Sequence, residues 1–133
     1  MAQVIIFTNS NGGVSTTIPT GEISIEAVLA KDCPAGAIIV EQSSLPTAND
    51  FYNAWELADG VVTVSFPKAV EITKQRLRVE RIPLLAAQDV AFQRALESGA
   101  DTTAIVAEKQ RLRNITSLAD SATTLEGLRA IEL

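Results

Sequence analysis

The feature that most constrains this chain is a change of period at Ser65-Phe66-Pro67. Before it, short β-branched runs are broken by Gly, Pro and Asn. After it, Ile72, Val79, Ile82, Leu85, Phe92 and Leu96 recur mostly at three- and seven-residue steps. Period two suits strands and the longer spacing suits an amphipathic helix, so the expected fold is α+β. A small β-rich unit with one short helix occupies residues 1–66, and an all-helical half occupies 67–133. A total of 133 residues allows one compact domain, or a small core with a helical extension, and excludes two full-sized domains.

Local signals divide each half further. Gln3 to Thr8 and Val14 to Ile18 flank Asn11-Gly12-Gly13 and read as a hairpin, because Asn-Gly supplies the positive φ angles of a tight reversal. Ser24 can cap a short helix reaching about Lys31, with Ile25, Val28 and Leu29 on one face. Ala37 to Val40 is a third strand, Glu41 to Asp50 a loop, and Phe51 to Leu57 with Val61 to Phe66 a second hairpin turned at Asp59-Gly60. So few strands leave an edge for another chain to pair with or cover. In the helical half, Pro83 lacks a backbone donor and predicts a kink or break between two helical pieces, the second stopping at Ser98-Gly99. Asp101 or Thr102 can cap a helix carrying Ile105, Leu112 and Ile115. Thr123 and Glu126 have capping-box spacing for a last helix with Leu125, Leu128 and Ile131.

Chemistry is conspicuous by what is missing. The sequence has no histidine and one cysteine, so the commonest general base and metal ligand is absent and no intramolecular disulfide can form. Cys33 lies in Lys31-Asp32-Cys33-Pro34, where the neighbouring carboxylate opposes thiolate formation, and a small structural thiol is the expectation. Asn11-Gly12-Gly13 lacks the Gly-Lys-Ser/Thr ending of a phosphate loop and sits between strands. Glu22 and Glu26 near a helix start need only the favourable macrodipole. Asn114-Ile115-Thr116 matches a glycosylation acceptor, but the first residues carry no secretion signal. The reading is a chain with no catalytic, cofactor-binding or metal-binding residues, hence not an enzyme. No apolar run nears the roughly 18 residues that span a bilayer, so no membrane partner is expected.

Charge is divided unevenly. Through Phe66 seven acidic residues face a single base, Lys31, for a net −6; from Pro67 on, ten bases and nine acids give +1, and together −5. A net acidic chain gives nucleic-acid binding little electrostatic basis. Arg76, Arg78, Arg81, Arg94 and Arg111 make the helical half locally basic, and with Leu85 and Phe92 they are the expected protein-interface residues. They would meet the acidic half of a neighbouring copy. Interleaved Glu71, Glu80, Glu97 and Glu108 equally suit ordinary solvated helix faces. Phe51, Tyr52 and Trp55 concentrate aromatic area that can anchor a partner, although a Trp in so small a unit more often packs into the core.

The layout Ile18-Pro19-Thr20-Gly21-Glu22, Lys31-Asp32-Cys33-Pro34-Ala35-Gly36, Leu45-Pro46 and Phe51-Tyr52-Asn53-Ala54-Trp55-Glu56-Leu57 resembles small proteins encoded near the tail-fibre genes of tailed bacteriophages. The stretches from Arg81-Ile82-Pro83-Leu84-Leu85 to Leu96-Glu97 and from Ala107-Glu108-Lys109-Gln110 to Asn114-Ile115 are similar to the helical ends of tail-fibre and tail assembly chaperone-like proteins. Where such sequences read Arg-Asp and Asp-Val-Pro, this chain has Arg113-Asn114 and Asp32-Cys33-Pro34. The resemblance implies a virion structural protein made in the host bacterial cytoplasm and built into the tail: a collar, tail-tip or fibre-attachment subunit. It would assemble as a homo-oligomer and contact other tail proteins, including the fibre. The alternative it implies is a tail-fibre assembly chaperone absent from the mature virion. The expected mechanism is geometric, with the helical stripe of Ile72, Val79, Ile82, Leu85, Phe92 and Leu96 buried against neighbouring copies.

Overall fold

In the computed structural model, which describes residues 2–133, the fold is α+β, with strands confined to the N-terminal half and a long helix followed by shorter ones after it. The chain divides into two compact units between Ala69 and Val70, inside the first turns of its longest helix.

In the first unit, β1 (Gln3–Thr8) is the central strand of a three-stranded antiparallel sheet, between β2 (Val14–Thr17) and β3 (Ile38–Glu41). Ile6 sits opposite both Thr16 and Ile38, and Val4 opposite Val40. Alternation along β1 therefore sends Val4 and Ile6 to one face and Ile5 to the other. On the first face Val4, Ile6 and Val14 join Trp55 and Val62 in a buried cluster. Trp55 comes from β4 (Trp55–Ala58) and Val62 from β5 (Val61–Val64), which form a separate hairpin. Ile5 is also fully buried, and α1 (Ile25–Asp32), with Val28 buried, packs on β1 and β3. Helix, sheet and hairpin are thus three layers around one strand. Ser24 caps α1 as its sequence predicts, its Oγ accepting from the Ala27 N–H at 3.2 Å.

The two reversals differ. Asp59 (φ 52°) and Gly60 (φ 77°) both adopt positive φ, the two-residue turn whose twist matches the strands it joins. The first hairpin instead closes through a longer loop. Asn9 Oδ1 accepts from the Asn11 and Gly13 N–H groups at 3.0 and 3.1 Å, and in this loop only Gly12 takes positive φ. The Asn side chain that organises the turn is therefore Asn9, two residues ahead of Asn11-Gly12. Phe51 to Ala54 form no strand: Tyr52–Ala54 make a 3-10 turn that seats Phe51 and Ala54 in the interior before β4 begins.

Helix α2 (Phe66–Ser98) runs unbroken through Pro83, against the expectation of two pieces. The carbonyl deprived of a partner is that of Val79, on a turn whose side chain is 59% exposed, where water can satisfy it. Gly99 (φ 70°) ends the helix, with the Ala100 N–H reaching back to the Ala95 carbonyl at 2.8 Å. In the second unit α3 (Thr103–Arg113), α4 (Ser117–Ser121) and α5 (Leu125–Arg129) follow. The Asp101 carboxylate caps α3 by accepting from the Thr103 N–H and hydroxyl at 3.0 and 2.7 Å. Thr124, not Thr123, caps α5, accepting from the Gly127 N–H at 3.0 Å. That one-residue shift replaces the expected capping box with a single side-chain bond.

Candidate interaction surface

Helix α2 carries apolar side chains around most of its circumference, and the second unit uses only one side of it. Thr73, Leu77 and Ala95 are buried, and Arg81, Leu85, Gln88 and Phe92 are half-buried. At about 100° per residue these fall on one side of the helix. The buried residues Leu112, Ile115, Ala119, Leu128 and Ile131 of the returning chain complete the core of this unit.

Cations on α2 hold that return. Arg81 Nη1 donates to the carbonyls of Leu112 and Arg113 at 3.3 and 2.8 Å, closing the C-terminus of α3. Lys74 Nζ lies 2.6 Å from Asp120 in α4. Arg76 Nη2 donates to the carbonyls of Leu128 and Ile131 at 3.3 and 3.1 Å, and its Nη1 lies 3.4 Å from Glu80. Across the hairpin Lys109 makes a 2.6 Å pair with Asp89 and sits 5.2 Å over the Phe92 ring. The Asp120 hydrogen bond raises the Lys74 pKa. The Arg111 hydrogen bond lowers that of Glu108 and raises that of Arg111, while the Thr103 hydroxyl, then its N–H, lowers that of Asp101.

The interface residues expected from sequence therefore separate. Arg76 and Arg81 bind carbonyls of their own unit, and Leu85 and Phe92 lie on the inner side of α2. Arg111 is paired with Glu108 at 2.6 Å within α3. Arg78 is exposed and donates to Gln75 one turn away, and Arg94 is exposed.

What the outer side of α2 presents is apolar. Ile82 is 64% exposed and Val90 50%, and Val79 and Ala86 are also exposed on that side. Successive 100° steps place Val79, Ile82, Ala86 and Val90 within about 80° of arc, away from Leu77, Gln88 and Ala95. The single stripe read from the sequence is thus divided: Leu85 and Phe92 belong to the inner side and Val79 and Ile82 to the outer, while Leu96, 60% exposed near the helix end, lies between them. The signal that could have separated them is the row Ala69-Thr73-Leu77-Arg81, spaced by four, whose small and polar members hide a buried face.

The first unit offers less. β2 and β3 are the edge strands of the sheet, and Ile18 and Ile23 are exposed beyond β2. Phe51 and Trp55 are core residues, and Tyr52 packs on Trp55 with ring centroids 4.8 Å apart. A cleft of about 430 Å³ lined by Gln42, Ser43, Leu45, Pro46, Thr47, Asn49 and Trp55 contains no charged side chain. Cys33 is a free, half-buried thiol at the end of α1. Among the described residues no group of three or more His, Cys, Asp or Glu side chains could hold a metal ion, and no helix is long and apolar enough to cross a membrane. Comparison with protein-family models, with curated proteins and with solved structures returns no match.

Proposed function

We propose that this protein is a structural subunit of a bacteriophage tail: a collar, tail-tip or fibre-attachment component that works as a homo-oligomer and acts through its surfaces rather than through catalysis. The observation that carries the reading is the outer side of α2, where Val79, Ile82 and Val90 are each at least half exposed along a single helix. Large apolar side chains exposed together along one helix are a mark of contact with another protein. The similarity of the helical half to tail-protein helical ends supplies the setting.

An exposed apolar band also suits the alternative, a chaperone that holds fibre chains while they fold. The two roles part at one measurement, mass spectrometry of purified virions. A tail subunit is present at fixed stoichiometry with the other tail proteins. Recovery from infected cells but never from particles would overturn the structural reading in favour of the chaperone.

A further inference from the structure

Asn11-Gly12 is the one asparagine–glycine pair of the sequence, and the loop of the first hairpin exposes both residues. An asparagine amide beside an unscreened peptide nitrogen reacts without a catalyst. The nitrogen attacks the side-chain carbonyl, a Cγ–N bond forms, the Cγ–Nδ2 bond breaks, and ammonia leaves with the proton of the attacking nitrogen. Water then opens the five-membered succinimide. Opening at Cγ gives aspartate, and opening at the main-chain carbonyl gives isoaspartate, in which the backbone runs through Cβ and Cγ. One water is taken up, one ammonia is lost, and a carboxylate replaces the amide at neutral pH. Asn9, Asn49, Asn53 and Asn114 precede Ser10, Asp50, Ala54 and Ile115, whose side chains screen the following nitrogen. Gly12 has no such screen, and a Cβ placed there would meet no atom within 4 Å. The Asn9 side chain is held: its Oδ1 accepts from the Asn11 and Gly13 N–H groups at 3.0 and 3.1 Å, and its Nδ2 donates to the Ser15 hydroxyl at 3.2 Å. Asn11 instead borders a cleft of about 230 Å³ that Tyr52 and Asn53 also line. The Gly12 N–H donates to the Asn9 carbonyl at 3.0 Å, so attack waits on the opening of that bond, and Asn9 sets its pace.

We propose that Asn11 is a site of spontaneous deamidation and that its isoaspartyl product undoes the loop that Asn9 organises. The two N–H groups bound by Asn9 Oδ1 lie on either side of the Asn11–Gly12 link, and the isoaspartyl form adds one backbone atom between them. One oxygen then no longer spans both donors. The aspartyl form keeps the length of the backbone and with it the loop.

Incubation of the full chain at neutral pH, followed by peptide mapping that separates aspartyl from isoaspartyl products by chromatography and mass spectrometry, tests both parts. Conversion at Asn11 should outrun that at every other asparagine by at least about tenfold. Asn9→Ala releases the loop and should speed conversion at Asn11 at least about twofold, whereas Asn9→Asp, which keeps the acceptor oxygen, should leave it near the wild-type rate. In the purified isoaspartyl form the Gly13 amide should exchange with deuterium at least about tenfold faster than in the unmodified chain, while freshly prepared Asn11→Asp keeps the unmodified rate. Earlier conversion at Asn9, Asn49, Asn53 or Asn114 overturns the site. A rate at Asn11 that Asn9→Ala slows or leaves unchanged overturns the control by Asn9. Gly13 exchange equal in the isoaspartyl and unmodified chains overturns the loss of the loop.

Discussion

The two units reach stability by different means. In the first, every layer closes on β1: Val4 and Ile6 bury one face against the hairpin, Ile5 the other, and the backbone donors of the three strands pair along two ladders. In the second, one long helix is held to short returning ones by a modest apolar core and by cations set on exposed carbonyls and carboxylates. A unit centred on a strand can bury both faces of that strand within a few dozen residues. A 33-residue helix cannot be wrapped by helices of 11, 5 and 5 residues. Its outer side is therefore left exposed, with Val79, Ile82 and Val90 among its side chains, whereas both faces of β1 are covered.

The contrast can be broken by mutation, the largest effect falling in the sheet. Ile6→Ala removes a fully buried side chain from the shared core and should cost about 3 to 4 kcal/mol in urea unfolding. Leu77→Ala, equally buried, lies in the smaller core of the second unit and should cost about 2 to 3 kcal/mol. A greater loss at Leu77 than at Ile6 would reverse the ranking of the two cores. Arg81→Met keeps much of the stem but leaves the Leu112 and Arg113 carbonyls without their donor; about 1 to 2 kcal/mol is expected, with faster amide exchange in the last turn of α3. At the other end of the scale, Ile82→Ala should change the stability of the isolated chain by less than about 0.5 kcal/mol, since the side chain is already largely in water.

Acid should act mainly on α3. Asp101 and Glu108 have pKa values below their ordinary 3.8 and 4.5, held there chiefly by the Thr103 hydroxyl and by Arg111. A carboxyl whose folded pKa is lowered stabilises the fold fully above its unfolded value, and that contribution is lost as pH falls through the folded value. Circular dichroism followed from neutral pH downward should therefore show α3 loosening only below about pH 4.5, and Asp101→Asn should blunt the change.

Much of the first unit was legible in the sequence because its signals are local. Ser24 caps a helix by accepting from the N–H of Ala27 three residues on, and Asp59-Gly60 takes positive φ at both residues whatever surrounds it. The first hairpin also forms where Asn11-Gly12 places it, with positive φ at Gly12, but the side chain that organises its loop is Asn9, two residues before Asn11. The helical half was legible in its elements and not in its faces. Leu85 and Val79 look alike to any count of spacing. Which side faces inward is set by the returning chain, such as the Leu112 and Arg113 carbonyls that Arg81 reaches more than thirty positions along the sequence. Pro83 was expected to break α2 on its local character alone, whereas the contacts of Leu77, Arg81 and Phe92 hold the helix on both sides of it. Of the expected interface residues, Arg76 and Arg81 carried the right charge for contact, but their acceptors are the returning helices of their own chain.

The homo-oligomer proposed above predicts that another copy covers the outer side of α2 and leaves the first unit as it is. Residue-resolved hydrogen–deuterium exchange at two protein concentrations about a hundredfold apart tests it directly. Amides of α2 between Val79 and Leu96 should exchange more slowly at the higher concentration, while those of β1 to β5 exchange at the same rate at both. Exchange independent of concentration throughout, or protection gained at the edges of β2 and β3 in place of α2, would contradict it.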